Sequence, residues 1–238
     1  MVSAVRAVAG GHTAAAMRVV SVAMKVVIIG GHGKVALLLA RALADRGQRV
    51  VSAVRNPLHV ADVERVGATG VLLDIENASL GEVTETVRGA DVVVFAAGAG
   101  AGSGAERKWS VDRDGAMLAA DASEIAGVAR LIVVSAMGAD LADPGSTDVF
   151  QIYLRAKAEA DASVRARDLA WTIVRPGRLT DGAATGRITL GQDLARGEIT
   201  RADVADLLCE LAVTGHGERR QFDVVSGETP IAQAAAAV

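Results

Sequence analysis

Apolar and polar positions along this chain alternate between short continuous apolar runs and longer stretches with helical spacing. Val26-Val27-Ile28-Ile29 is a run of β-branched residues, the pattern of a parallel strand buried on both faces. From Val35 to Arg46 the apolar residues Val35, Leu38, Leu39, Ala42 and Leu43 share one helical face, and Gly47 supplies a C-terminal stop. Val50 to Arg55 reads as a second strand and Val71 to Asp74 as a third, followed by a helix over Leu80 to Val87. Asp91 to Phe95 is a fourth strand, Val111 to Ile125 a helix stopped by Gly127, and Leu131 to Ser135 a fifth strand. A helix centred on Tyr153 to Val164 leads to a sixth strand, Trp171 to Val174. Thr200-Arg201-Ala202-Asp203 opens a further helix in the manner of a capping box, and Phe222 to Val225 is a last strand. The alternation predicts an α/β protein with a doubly wound parallel sheet and right-handed crossovers. No internal repeat or linker interrupts it, and 238 residues suit a single domain.

The turn after the first strand carries the chemistry. Gly30, Gly33 and Ala36 have the spacing G-x-x-G-x-x-[G/A]. Two glycines there allow unusual backbone angles and close approach of a pyrophosphate, and a small third residue lets the helix pack tightly on the strand. Strand, glycine turn, helix and second strand fall where the dinucleotide-binding unit of a Rossmann fold needs them. Gly30, His32, Gly33, Lys34 and Val35 are the candidate contacts in this turn.

Arg55 stands at the end of the second strand, where an NAD-preferring site places a carboxylate for the ribose hydroxyls. A guanidinium there suits a 2′-phosphate through paired charge-assisted hydrogen bonds, so NADP(H) is expected over NAD(H), with Lys34 as a second cation. The plainer alternative is a solvated arginine at a strand end. Asp74, with Ile75 beside it, also has two readings: acceptor for the adenine amino group, or cap of the next helix. Ala96-Ala97-Gly98 begins a glycine-alanine stretch reaching Gly104, which is either a simple connection or a surface of small residues against which a cofactor lies.

Composition narrows the classes. Half the chain is apolar (51%) but only 3% is aromatic, so the core is aliphatic, as expected for a sheet covered on both faces. A net charge of −3 gives no electrostatic footprint for nucleic acid. Four scattered histidines and one cysteine predict no metal site, and Cys209 reads as a small buried hydrophobe. A lone cysteine forms no internal disulfide and fits a cytoplasmic protein, and no segment has the uninterrupted apolar length of a membrane span. The expected partner is therefore a small-molecule substrate, with oligomeric state left open. Residues 1–23 carry Arg6 and Arg18 but no acid, and Gly10-Gly11-His12-Thr13 interrupts any signal-peptide core. They read as a disordered extension, or as a start placed too early with Met17 or Met24 as the true one; residues 24–238 form the NAD(P)-binding domain. A chain beginning at Met24 is expected to fold and bind cofactor as the full chain does, and a large fall in melting temperature on truncation would overturn this.

Beyond the glycine turn, the chain resembles the atypical short-chain dehydrogenase/reductase group, and within it the YhfK-type NAD(P)-binding proteins, relatives of the NmrA-like and biliverdin-reductase-B-like proteins. The resemblance runs from Met24 to about Ala234. It rests on Phe95-Ala96-Ala97-Gly98, Val111-Asp112-Arg113-Asp114-Gly115-Ala116, Val133-Val134-Ser135-Ala136, Ile173-Val174-Arg175-Pro176-Gly177, Thr200 to Ala205 and Phe222 to Pro230. It implies NAD(P) binding, with Pro176 beside the cofactor. It also implies the superfamily's catalytic set, Ser followed by Tyr-x-x-x-Lys, which Ser135 and Tyr153-Leu154-Arg155-Ala156-Lys157 match.

The residue types make chemical sense. A phenol near its free pKa of about 10 is a poor acid/base at neutral pH, and an ammonium beside it lowers that value. One helical turn puts Tyr153 and Lys157 on one face, so that one moves a proton while the other holds the nicotinamide ribose. Ser135 would hydrogen-bond the substrate carbonyl. Tyr153 is the only tyrosine and Lys157 one of four lysines, which makes a chance match weak; the stronger rival is a pair kept for ribose binding without turnover. The eighteen residues from Ser135 to Tyr153 exceed the usual spacing, so the loop Gly138 to Gln151 must fold back. The activity expected is NADPH-dependent reduction of a small carbonyl or related electrophile, the alternative an NADPH-sensing binding protein without turnover; a nucleotide-sugar epimerase or dehydratase is disfavoured because only about sixty residues follow Pro176.

Overall fold

In the computed structural model residues 23–100 and 102–238 are described; the expectation for the N-terminal extension lies outside them, Ala23 apart. β1 (Lys25–Ile29), α1 (Lys34–Asp45) and β2 (Arg49–Val54) form the first crossover, followed by α2 (Val60–Arg65) and β3 (Thr69–Leu72). α3 (Leu80–Val87), β4 (Val92–Phe95), α4 (Ala105–Arg107), a π-helical run Lys108–Asp114, α5 (Gly115–Ile125) and β5 (Arg130–Val134) come next. α6 (Val149–Arg165), β6 (Trp171–Pro176), β7 (Arg178–Thr180), β8 (Arg187–Gly191) and β9 (Glu198–Thr200) precede α7 (Arg201–Thr214), β10 (Arg220–Ser226), β11 (Thr229–Pro230) and α8 (Ile231–Ala235).

The main sheet has nine strands in the order β11-β8-β10-β6-β5-β4-β1-β2-β3. From β3 to β10 every neighbouring pair is parallel, while β8 and β11 add an antiparallel edge. This is the doubly wound Rossmann-like architecture expected, mostly rather than wholly parallel. β1 shows why its continuous apolar run was needed. Val26 and Ile28 pack into one core with α1 and α7, whereas Val27 and Ile29 enter the other with α3 and α5. Each face therefore takes alternate side chains of one strand, and burial of each is worth roughly 1.5–3 kcal/mol.

The chain reverses direction across the sheet beside β1, whose neighbours are β2 on one side and β4 on the other. The C-terminal ends align there, with Ile29 opposite both Ala53 and Phe95. A crevice opens outside these ends in such sheets, and the glycine turn lies in it. Cys209 is fully buried in α7, and burial pushes its thiol up to about 11, so it behaves as the small hydrophobe its position suggested. Among the described residues no helix is long and apolar enough to cross a membrane.

A candidate active site at the strand ends

A cavity of about 1220 Å³ follows the C-terminal ends of the central strands. The candidates Gly30, His32, Gly33, Lys34, Val35, Arg55, Asp74, Ile75, Ala96, Ala97, Gly98, Ser135, Tyr153 and Lys157 all line it. Pro176 closes β6 and lies outside that lining; its carbonyl accepts from the Met137 amide. At Gly30 the backbone has φ +85°, and a Cβ would stand 2.5 Å from Ala97 Cα, so the turn and the β4 loop meet only because glycine is there. The N-cap of α1 is Gly33, which has no side chain to cap it. The first-turn amides of Lys34, Val35 and Ala36 therefore lack helix carbonyls and border the cavity, a donor set suited to a pyrophosphate. The chain's residues fit a dinucleotide.

Arg55 borders the cavity, is largely exposed and makes no hydrogen bond to a described residue; Glu76 lies 4.0 Å away. Glu76 is mainly engaged by Arg107, with Ser110 Oγ at 2.6 Å, and these contacts hold its carboxyl below the usual range. Lys34 does not join Arg55. Its ammonium pairs at 2.7 Å with Asp181, which also binds Arg201 at the start of α7, so Lys34 turns toward the β6 side of the sheet rather than toward β2. Asp74 closes a turn, accepting from the Glu76 amide and from Asn77 Nδ2 at 2.8 Å, while α3 is capped by Ser79 in a capping box with Glu82. Asp74 thus caps no helix, although it does border the cavity.

Lys157 Nζ is buried, donates to the Val134 carbonyl at 3.0 Å and pairs with Asp112 at 3.4 Å. Burial opposes its charge, but the Asp112 and Asp161 carboxylates favour it, and its pKa lies above the ordinary value. Lys157 lies 5.9 Å from the Tyr153 ring centre, and Lys108, which donates to the Gly100 carbonyl at 2.8 Å, lies 5.4 Å from it. The expected lowering of the Tyr153 pKa does not survive. Burial raises it, Lys157 pulls the other way, and Asp112 and Asp161 add to the rise, so the phenol stays protonated.

Ser135 also differs from expectation. Its hydroxyl donates to Asp161 Oδ2 at 2.8 Å, and Asp161 is held by Arg175, which also grips Asp140. This network answers the spacing problem: Asp140 sits in the long loop after β5, so the Arg175 contact pins that loop to β6. Arg155 adds hydrogen bonds to the carbonyls of Asp143, Pro144 and Ser146, and Asp148 caps α6. The loop folds back, and Ser135 and Tyr153 reach one cavity.

A family model described as NAD(P)H-binding matches residues 30–214, from the glycine turn to the end of α7. The chain belongs to this NAD(P)H-binding family. It is 36% identical over 212 residues to the Bacillus subtilis protein named uncharacterized sugar epimerase YhfK, covering 89% of this chain and 98% of that one. A solved structure from Bacillus halodurans, named an NAD-dependent epimerase/dehydratase, superposes with a TM-score of 0.83 at 33% identity, over 90% of this chain and all of that one. The Lactococcus lactis oxidoreductase ylbE superposes with a TM-score of 0.79 at 28% identity, over 90% and 96%. The resemblance to the atypical short-chain dehydrogenase/reductases therefore holds across the domain.

Within this NAD(P)H-binding chain, sequence reasoning passed over Asp112, Lys108, Asp161 and His59. Asp112 was visible only as part of a motif. The π-helical run puts it at the cavity, where its other oxygen accepts the Ala99 amide at 3.1 Å and anchors the glycine-alanine loop. Asp161 had a readable signal, one turn beyond Lys157 on the same helix face.

Proposed function

We propose that this protein is an NADPH-dependent oxidoreductase acting on a small carbonyl or related electrophile. The observation that carries the reading is the convergence of the glycine turn, Arg55 and the Tyr153–Lys157 pair on one cavity. Bound there, the reduced nicotinamide nucleotide would supply hydride. The uncapped start of α1 would hold its pyrophosphate and Arg55 its 2′-phosphate. Lys157, kept charged by Asp112, would hold the nicotinamide ribose. Tyr153, a neutral phenol, would deliver its proton to the substrate oxygen as the carbon is reduced. Reductase and epimerase names among the relatives are compatible with this, since both activities can pass through hydride transfer at a carbon bearing oxygen.

Turnover of NADPH against a panel of carbonyls and quinones tests the reading. Arg55→Ala is expected to weaken NADPH binding about 10- to 100-fold while leaving NADH nearly unchanged, the effect of losing a charge-assisted pair. Titration of both cofactors against both proteins checks this, and equal binding of NADH and NADPH by the unaltered chain would refute the preference. A second reading, an NADPH sensor without turnover, is favoured by the Ser135 hydroxyl, whose proton goes to Asp161 rather than to the cavity. It predicts no turnover with any substrate and a partner interaction that depends on NADPH.

A further inference from the structure

Two histidines far apart in sequence meet at the rim of the same cavity. His32, inside the glycine turn, and His59, just before α2, stack with ring centres 3.5 Å apart and planes within 10°. His32 Nε2 is 2.8 Å from Asp62 Oδ2, which leaves Nδ1 as its uncommitted nitrogen. The His59 ring makes no hydrogen bond to a described residue. Both rings border the cavity together with Arg55.

The charges around the stack are distinctive. From α2, Asp62 faces His32 and is itself paired with Arg65. The His32 contact, opposed by partial burial and helped by Arg65, holds the Asp62 carboxyl below its usual range, so it remains an anion. From α1, Arg41 is spent on the Arg65 carbonyl and Lys34 on Asp181. From the ends of β2 and β3 come Arg55 and, 4.0 Å from it, Glu76. Among the described residues the rim thus holds the Arg55 guanidinium, two imidazoles and two carboxylates that would repel an incoming dianion. A neutral imidazole whose Nε2–H goes to Asp62 has only a lone pair at Nδ1, which repels a phosphate oxygen as well. Protonation reverses this by turning the nitrogen into an N–H donor. Two parallel imidazoles at this separation disfavour a second positive charge unless an anion lies beside them.

We propose that the His32–His59 stack is a proton-linked part of the adenosine 2′-phosphate site, binding that phosphate by taking up a proton as it arrives. The inference rests on the NADPH reading and adds to it a second recognition element on the cavity that Arg55 also borders. It makes the preference for NADPH over NADH itself dependent on pH. Once the phosphate is a dianion, above about pH 6, the preference is expected to decline as pH rises and the imidazoles lose their protons. A phosphate monoester has its second ionisation near pH 6, so at pH 7.5 it is already mostly dianionic and contributes few protons of its own.

The test is calorimetric titration of the full chain with NADPH and with NADH at pH 7.5, in HEPES and in Tris, whose different ionisation enthalpies report the protons exchanged on binding. NADPH is expected to take up between half a proton and one proton more than NADH. In His59→Gln the excess should fall toward zero and the preference for NADPH shrink, with NADH binding retained as evidence that the turn is still folded; His32→Gln, which alters a contact of the turn itself, is read by the proton excess alone. NADPH binding more tightly than NADH with no excess proton would overturn this inference and leave the NADPH reading intact. An excess that persists in both variants would overturn it as well. Equal affinity for the two cofactors would overturn both.

Discussion

Tyr153→Phe is expected to lower turnover by roughly 10²–10⁴-fold while changing NADPH affinity little. That range is what a lost general acid removes. The ring itself stays, with its packing against Phe150 at 5.9 Å and its place near Lys108 and Lys157, so the cavity keeps its shape and only the transferable proton goes. Lys157→Ala should instead damage both binding and turnover, because it removes the group assigned to the ribose and leaves the buried Asp112 carboxylate without its cation. The direction of the Tyr153 shift fixes a pH signature. A raised pKa keeps the proton donor present through the neutral range, and reductase activity is lost only as pH climbs beyond the titration of an ordinary phenol. Steady-state rates of the unaltered chain and of both variants across pH, beside cofactor titrations, check all three statements. Unchanged activity in Tyr153→Phe would move proton delivery to solvent or to the substrate.

The second large effect is on stability. Asp161 is completely buried, receives the Ser135 hydroxyl, and pairs with Arg175, itself almost fully buried. Burial pushes its carboxyl above the usual range while Arg175 and Ser135 pull it back. Such a pair adds little net stability when intact, but removing one partner strands the other charge, a cost of about 3–5 kcal/mol. Asp161→Ala is therefore expected to lower the melting temperature by roughly 6–20 °C, at about 2–4 °C per kcal/mol for a domain of this size. Asp161→Asn keeps an acceptor and should lose less. Thermal unfolding measures both, and a loss in Asp161→Ala below about 1 kcal/mol would mean that Asp140 alone satisfies Arg175.

The elements that define the crevice were legible because each carries a strong periodic signal. Leu80 to Val87 forms the helix its spacing predicts, and β1, β2, β4, β5 and β6 lie within one or two residues of their apolar runs. What escaped is short or irregular. α2 spans six residues after a proline turn, and β7 and β9 three each, lengths at which periodicity carries no information. β8 did carry a signal, the alternation of Ile188 and Leu190, but two apolar positions in five residues are too few to stand out. The helix expected at Val111 begins earlier and is π-helical over Lys108–Asp114, which apolar spacing at 3.6 residues cannot register. In the site, residue identity and spacing located the side chains on the cavity. They did not show to which partner each had committed its protons: Ser135 to Asp161, Lys34 to Asp181, Lys157 to Asp112. Those pairings join residues 147, 45 or 26 positions apart, and only the folded chain brings them together.

The central position of β1 has a consequence for how this chain reaches its native state. Its two ladders run to β2, made about twenty residues later in synthesis, and to β4, whose Val92 pairs with Val26. Until β4 emerges, one edge of a fully apolar β-branched segment has no native neighbour, the condition under which nascent chains associate with one another. Lys25 on one side and the Gly30-Gly31 pair on the other act as gatekeepers, since a charge and two poor strand formers confine the sticky stretch to four residues. Gly30, whose positive φ lets the turn meet the β4 loop, would therefore also limit self-association while the protein is being made.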